Sequence, residues 1–367
     1  MKIKLRYIIP MLMVIMTACT SPSDSKETLT ESKALSKEGA DASSMSQVSG
    51  NFPEKLDMEI GSVKFNAEVL AHSSVNMRSK SYKAEVRKFD KEKVKDKLLN
   101  NIEVAETTSY EDTDSYTGTN EEHLSLSPTG IFFYKNLYQY VSHAFSLFED
   151  DRNAELYMQD MDFDFASRDE AKELVLKELD SLGAGLGSEY LINMYSLDYE
   201  TMKENEIVLD RNDGIDKSAY KPDWSSQDNC YYLCIRQSLN GIPVGYKYAD
   251  VYADINEYNA PVQLLYSSSG IEFLNIDKIF DFSDSKEEIA LADMDKVSAC
   301  IAKKCNNILN KAKYSVSKLE LHYICIKESE TEYTVRPAWV ATMSEIGETA
   351  HSFQMIIDAQ TAEEIIL

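Results

Sequence analysis

From residue 165 onward the chain spells one order of elements twice, and nothing else in it constrains the fold as tightly. The first pass opens Phe165-Ala-Ser-Arg-Asp-Glu-Ala. Ser167 with Glu170 three positions on is a capping box, which satisfies N–H groups left open at a helix start. Ala171, Leu174, Val175, Leu179 and Leu182 recur at helical spacing as an apolar stripe, and Gly183 supplies the stop. Alternating runs follow at 190–199, 230–239 and 250–255, the second turning at Asn240-Gly241-Ile242-Pro243-Val244. The second pass lies at a constant offset of 126 residues: Asp293 falls on the cap position of Ser167, and Val297, Cys300, Ile301, Cys305 and Ile308 fall on the stripe. Runs at 319–326, 333–343 and 353–358 complete it. Apart from a long insertion at about 200–229 in the first pass, the connections are short and favour an antiparallel meander over the crossovers of a parallel sheet. The pattern predicts an α+β chain of tandem modules, each one helix packed on a small antiparallel sheet.

The region before the repeat, 52–164, reads as a further α+β region. Runs at 63–70 and 80–86 alternate like strands, and Asp90 caps a short charged helix over 91–99. Residues 107–120 read as a polar, glycine-containing loop, 131–141 fits either a strand or a short helix, and 149–164 is acidic. The expected organisation is 52–164, then modules at 165–267 and 268–367.

The first 51 residues carry an address. Lys2, Lys4 and Arg6 precede an apolar run at 8–18, shorter than the roughly 20 residues a membrane-spanning helix needs and suited to an export signal. The run ends Met16-Thr17-Ala18-Cys19, which resembles a bacterial lipobox, with a small residue before a cysteine that is lipidated and becomes the new N-terminus. This predicts a signal at 1–18 and membrane-lipid attachment through Cys19. Residues 19–51 are rich in Ser, Thr, Lys, Glu, Asp and Ala, cannot offset ordering entropy by burial, and read as a disordered tether. The formal net charge is −24, and all 62 acidic residues lie beyond the basic leader, which excludes a nucleic-acid partner.

Catalytic and metal signatures are missing. His72, His123, His143, His322 and His351 stand singly, and the sequence contains no HExxH, GxSxG, GxxxxGK[ST] or GxGxxG. Asp160-Met-Asp-Phe-Asp164 alternates carboxylates as a calcium loop does, but Phe165 stands where glycine is needed. Asp210-Arg-Asn-Asp-Gly214 reads as a turn, and Asp254 and Asp358 each end a third run as turn residues. Beyond Cys19, the odd set Cys230, Cys234, Cys300, Cys305 and Cys325 leaves at least one thiol unpaired within a monomer and reads as buried thiols. Neither metal nor cofactor is expected.

Three segments carry a resemblance: Gln237-Ser-Leu-Asn-Gly-Ile-Pro-Val244, Arg336-Pro-Ala-Trp-Val340 and Ile357-Asp-Ala-Gln-Thr-Ala362. They resemble the PepSY family and the propeptides of thermolysin-type proteases, and are similar to the regulatory proteins YycH and YycI. Ser167, Glu170 and Ala171 match the helix start of that pattern. The resemblance implies a PepSY/cystatin-like fold and a non-enzymatic regulator that restrains a protease or a sensor kinase by holding a protein or peptide partner. Gly241, Pro243, Pro337 and Trp339 are then the candidate partner-binding residues. Trp339 also reads as a core anchor, and Pro243 and Pro337 as marks of a turn, strand edge or bulge. The alternative is a lipoprotein that binds a small molecule or glycan through exposed aromatics; a divergent hydrolase ranks last.

Overall fold

The computed structural model describes residues 52–367 apart from 72–74, 76, 148–152, 158–159, 188, 210–213, 246–260, 308–311, 330, 348–351 and 367. Cys19, the signal, the tether, Asp254, His72, His351 and most of the Asp210 turn lie outside the described residues.

Among these residues one mixed sheet joins sixteen strands. One half is built on β14 (Tyr314–Lys327), β15 (Glu332–Glu345) and β16 (Ser352–Asp358), joined by β1 (Lys55–Ile60), β2 (Val63–Leu70), β3 (Arg78–Val86) and β13 (Phe280–Ala290). The other is built on β8 (Tyr190–Leu197), β9 (Cys230–Leu239), β11 (Val262–Ser267) and β12 (Gly270–Ile276), extended by β7 (Ile131–Tyr134), β6 (His123–Leu126), β5 (Thr113–Gly118) and β4 (Val104–Tyr110). The short β10 (Ile242–Gly245) links them. It is antiparallel to β9 through Ile242↔Leu239 and parallel to β14 through Val244↔Tyr323. The tight turn between β9 and β10 places Asn240 at φ 53° and Gly241 at φ 77°, the left-handed pair that an Asn-Gly hairpin supplies at little cost.

This architecture overturns the predicted tandem of separate helix-on-small-sheet, PepSY/cystatin-like modules. Strands from 52–164 are built into both halves: β2 lies parallel to β14, β3 pairs with β15 and β13, and β7 pairs with β12. The β11–β12 hairpin turns at Ser268-Ser269, where the boundary between the two modules was expected. The cause is edge satisfaction. A small sheet leaves open backbone edges, and here strands distant in sequence fill them.

Local signals hold where capping and periodicity are strong. Helix α1 (Lys91–Leu98) starts at Asp90, whose carboxylate accepts from Lys93 N, and α2 (Asn136–Ala144) follows β7, so 131–141 is strand and then helix. Helix α3 (Arg168–Ser181) has the full Ser167–Glu170 capping box. Helix α4 (Tyr199–Asn205) follows β8, and α5 (Met294–Asn306) begins at Asp293 without a side-chain cap bond. The predicted loop over 107–120 is instead the β4–β5 hairpin. Its Thr, Ser and Tyr residues favour strands, and β4 is exposed on both faces, so it lacks the apolar alternation that marks a half-buried strand.

Buried side chains cluster under the helices. Val297, Ile301 and Cys305 of α5 pack with Val69, Leu319 and Trp339. Ala171, Val175 and Leu179 of α3 pack with Leu233, Leu264 and Leu274. On the opposite face of the same strands, Val141 and Met202 from α2 and α4 cover Tyr232, Leu265 and Phe273. Strand β9 is therefore covered on both faces, which explains its nearly uninterrupted burial.

Candidate functional site

A concavity of about 870 Å³ lined by described residues lies where the two halves meet. Its first wall is built by strand register. Ser125 of β6 lies opposite Phe132 of β7, which lies opposite Asn275 of β12, so a hydroxyl, an aromatic ring and a carboxamide stand in one cross-strand row. Side-chain bonds steady the row. Ser115 Oγ donates to Ser125 Oγ at 3.3 Å, and Asn275 Nδ2 donates to Oε1 of the fully buried Gln263 at 3.2 Å. Thr113, Ser127 and Gly130 extend this wall.

The second wall comes from Gly245 at the end of β10, Cys325 to Lys327 at the end of β14, Tyr333 and Phe280. Phe280 is held by the buried Gln237, whose amide both donates to Phe280 O and accepts from Phe280 N at 2.8 Å, as a neighbouring strand would. Tyr333 packs edge-on against Phe280 with ring centres 5.0 Å apart. At Gly245 a Cβ would stand 3.0 Å from Ile324 Cδ1, a tight approach to the end of that side chain.

The first wall continues outward as half-buried rings. Phe132 lies 5.8 Å from Tyr134, and His123 stacks on Tyr134 at 5.5 Å. Burial lowers the His123 pKa and raises those of Tyr134 and Tyr138, the last to about 12, so the rings are uncharged at neutral pH. Asp277, Lys278 and Lys327 bring the charges of the lining and are exposed. Burial pushes the Cys325 thiol up, which keeps it protonated and weakly nucleophilic. This arrangement can hold a ligand by shape, rings and hydrogen bonds; among the described lining residues no activated nucleophile stands beside a base.

The predicted partner-binding residues sit elsewhere. Trp339 is fully buried and meets Phe52 edge-on at 5.1 Å, and Pro243 and Pro337 are buried as well. Gly241 is in the partly exposed β9–β10 turn. Pro337 lies opposite Tyr323 in the β14–β15 ladder, between the stretch of β15 that pairs with β3 and the stretch that pairs with β16; a missing N–H is tolerated there. Asp358 serves its turn, accepting from Gln360 N and Thr361 N at 2.8 and 2.9 Å. Asp160 and Asp162 meet Arg168 instead of gathering around a cation site. All five described cysteines are free, and no group of three or more His, Cys, Asp or Glu that could hold a metal occurs among the described residues.

Sequence reasoning missed the first wall because it missed the β11–β12 hairpin that carries Asn275. Both strands are buried on both faces, which erases alternation; the surviving signal is the Ser-Ser-Ser-Gly turn at 267–270.

No family model matches the chain, and no curated protein does. A crystal structure of an uncharacterized protein from Eubacterium rectale ATCC 33656 is similar in fold, with a TM-score of 0.58 at 17% sequence identity, covering 86% of this chain and 94% of that chain.

Proposed function

We propose that this is a lipid-anchored extracytoplasmic binding protein without catalytic activity of its own, held to the membrane through Cys19, and that the cleft between the two half-sheets is its binding site. The observation that carries the reading is the cleft itself: about 870 Å³, with hydrogen-bonded polar groups and aromatic rings side by side on one wall. Concave sites of this size and mixed character are where small ligands bind. Restraint of a protease or kinase, which rested only on the family resemblance, forms no part of the proposal.

Two measurements test it. Cys19→Ala should move the protein out of the membrane fraction of expressing cells; unchanged fractionation refutes the anchor. Thermal-shift screening of the full-length protein should find a ligand that raises its melting temperature, as selective binding to the folded state must. Ser125→Tyr, which fills the cleft from β6, should abolish that rise while the ligand-free protein melts as before. A rise that survives the substitution places the site elsewhere.

A further inference from the structure

We infer that the cleft takes a neutral oligosaccharide, an inference that rests on reading the cleft as the binding site and names its ligand class. The juxtaposition that carries it is the row Ser125, Phe132 and Asn275 on three neighbouring strands. Adjacent strands are about 4.8 Å apart, so the ring of Phe132 has a hydroxyl on one side and a carboxamide on the other at one strand spacing each. A pyranose has this chemistry in complement. Its face is a patch of C–H groups, drawn to the electron-rich face of an aromatic ring. Its rim is a fan of hydroxyls that both donate and accept, as serine hydroxyls and asparagine amides do. A sugar laid flat on Phe132 would direct its rim hydroxyls toward Ser125 and Asn275.

Two further features support an oligomer without net charge. The ring track does not stop at Phe132 but runs on through Tyr134 and His123, at centre distances of 5.8 and 5.5 Å, giving further aromatic surface for a second unit. The charge pattern also bears on the ligand. In a chain with 27% charged residues, the cleft floor is built from hydroxyl, amide and apolar side chains, while Asp277, Lys278 and Lys327 are exposed. A phosphorylated or strongly ionic ligand would call for converging buried cations, which this lining does not supply. Asp277 is the one carboxylate of the described lining, and hydrolysis of a glycosidic bond ordinarily needs a pair. The site binds sugar and leaves it intact.

The test is calorimetric titration of the full-length protein in a polyoxyethylene detergent, which carries no sugar headgroup. The probes are neutral α-1,4 and β-1,4 glucose oligomers, an N-acetylglucosamine oligomer, an anionic uronate oligomer and a pool of unmodified peptides. The expected result is binding of a neutral oligomer. Phe132→Ala should weaken it about tenfold, equivalent to about 1.4 kcal/mol. Phe132→Tyr should restore it, Asn275→Ala should weaken it, and Tyr110→Ala, on the exposed β4 strand, should leave it unchanged. Neutral-sugar binding that Phe132→Ala does not alter overturns the inference. So does binding of only peptides or uronates in a manner blocked by Ser125→Tyr, an outcome that leaves the cleft standing as a binding site. Binding by no probe defeats the inference, and if the wider thermal-shift screen is also blank, the binding reading falls with it.

Discussion

Helices α3 and α5 are nearly the same object in different surroundings. At the constant offset, Ala171 matches Val297, Val175 matches Ile301 and Leu179 matches Cys305, and all six are buried. Leu174, assigned to the stripe from spacing, is 41% exposed, and its counterpart Cys300 is also only partly covered. Beneath the helices the likeness ends. The strand following α3 is β8, which pairs among the described strands with β9 only, whereas the strand following α5 is β14, which pairs with β15, β2 and β10. A local pattern sets which face of a helix is buried; it does not set which strands assemble under that face.

The sharpest way to break this comparison is to ask whether the halves melt together. Leu179→Ala and Ile301→Ala each remove a fully buried aliphatic side chain, and each should cost about 2–5 kcal/mol. Because one sheet runs through both halves, both substitutions should lower the same calorimetric transition. Two transitions, with one moved by each substitution, would restore independent modules.

The halves also differ in how they bury a polar group. In the β9 half, Gln263 is fully buried and bonded to Asn275. In the β14 half, His322 is 3% exposed and its Nδ1 has no hydrogen-bond partner among the described residues. Burial, with Arg236 and Lys318 adding positive charge nearby, lowers its pKa to about 3. As pH falls below the ordinary histidine value of about 6.5, the unfolded chain gains a proton that the folded chain refuses. His322 should therefore make stability fall on acidification from about 6.5 to about 3, by at most about 1.4 kcal/mol per pH unit. The nearby Glu320, raised by burial, acts in the opposite sense, stabilising the fold on acidification. Urea midpoints across this range should show a weaker acid dependence for His322→Gln. Parallel curves for the two proteins would exclude His322 as the source.

The smallest expected difference lies at the helix starts. Ser167 takes part in a complete capping box, while Asp293 makes no side-chain cap bond. Ser167→Ala should cost about 1 kcal/mol and Asp293→Ala a few tenths at most. Equal losses in urea midpoints would show that the two starts are equivalent.

These contrasts mark how far the sequence could be read. Helix α3 was legible to its caps because Ser167, Glu170 and Gly183 act within a few residues of one another. Strands β2, β9, β14 and β15 were legible from alternation or apolar runs. Their partners were not, because the pairing of β2 with β14 depends on which backbone edges remain open after the meander forms, and that is a property of the assembled sheet. The cleft was hidden for the same reason: Ser125, Phe132 and Asn275 are ordinary residues until register aligns them. Trp339 and Pro337 drew attention through the resemblance carried by Arg336-Pro-Ala-Trp-Val340, yet their chemistry serves the core and a change of strand partner.

The account depends on strands from opposite ends of the chain sharing one sheet, most directly at the parallel register Glu68↔Lys318 between β2 and β14. Oxidising a Glu68→Cys, Lys318→Cys double variant and mapping its disulfides by non-reducing peptide analysis tests this. The account predicts a 68–318 disulfide in the folded protein, formed without loss of the melting transition. A folded double variant in which these two cysteines stay reduced, or pair elsewhere, would contradict it.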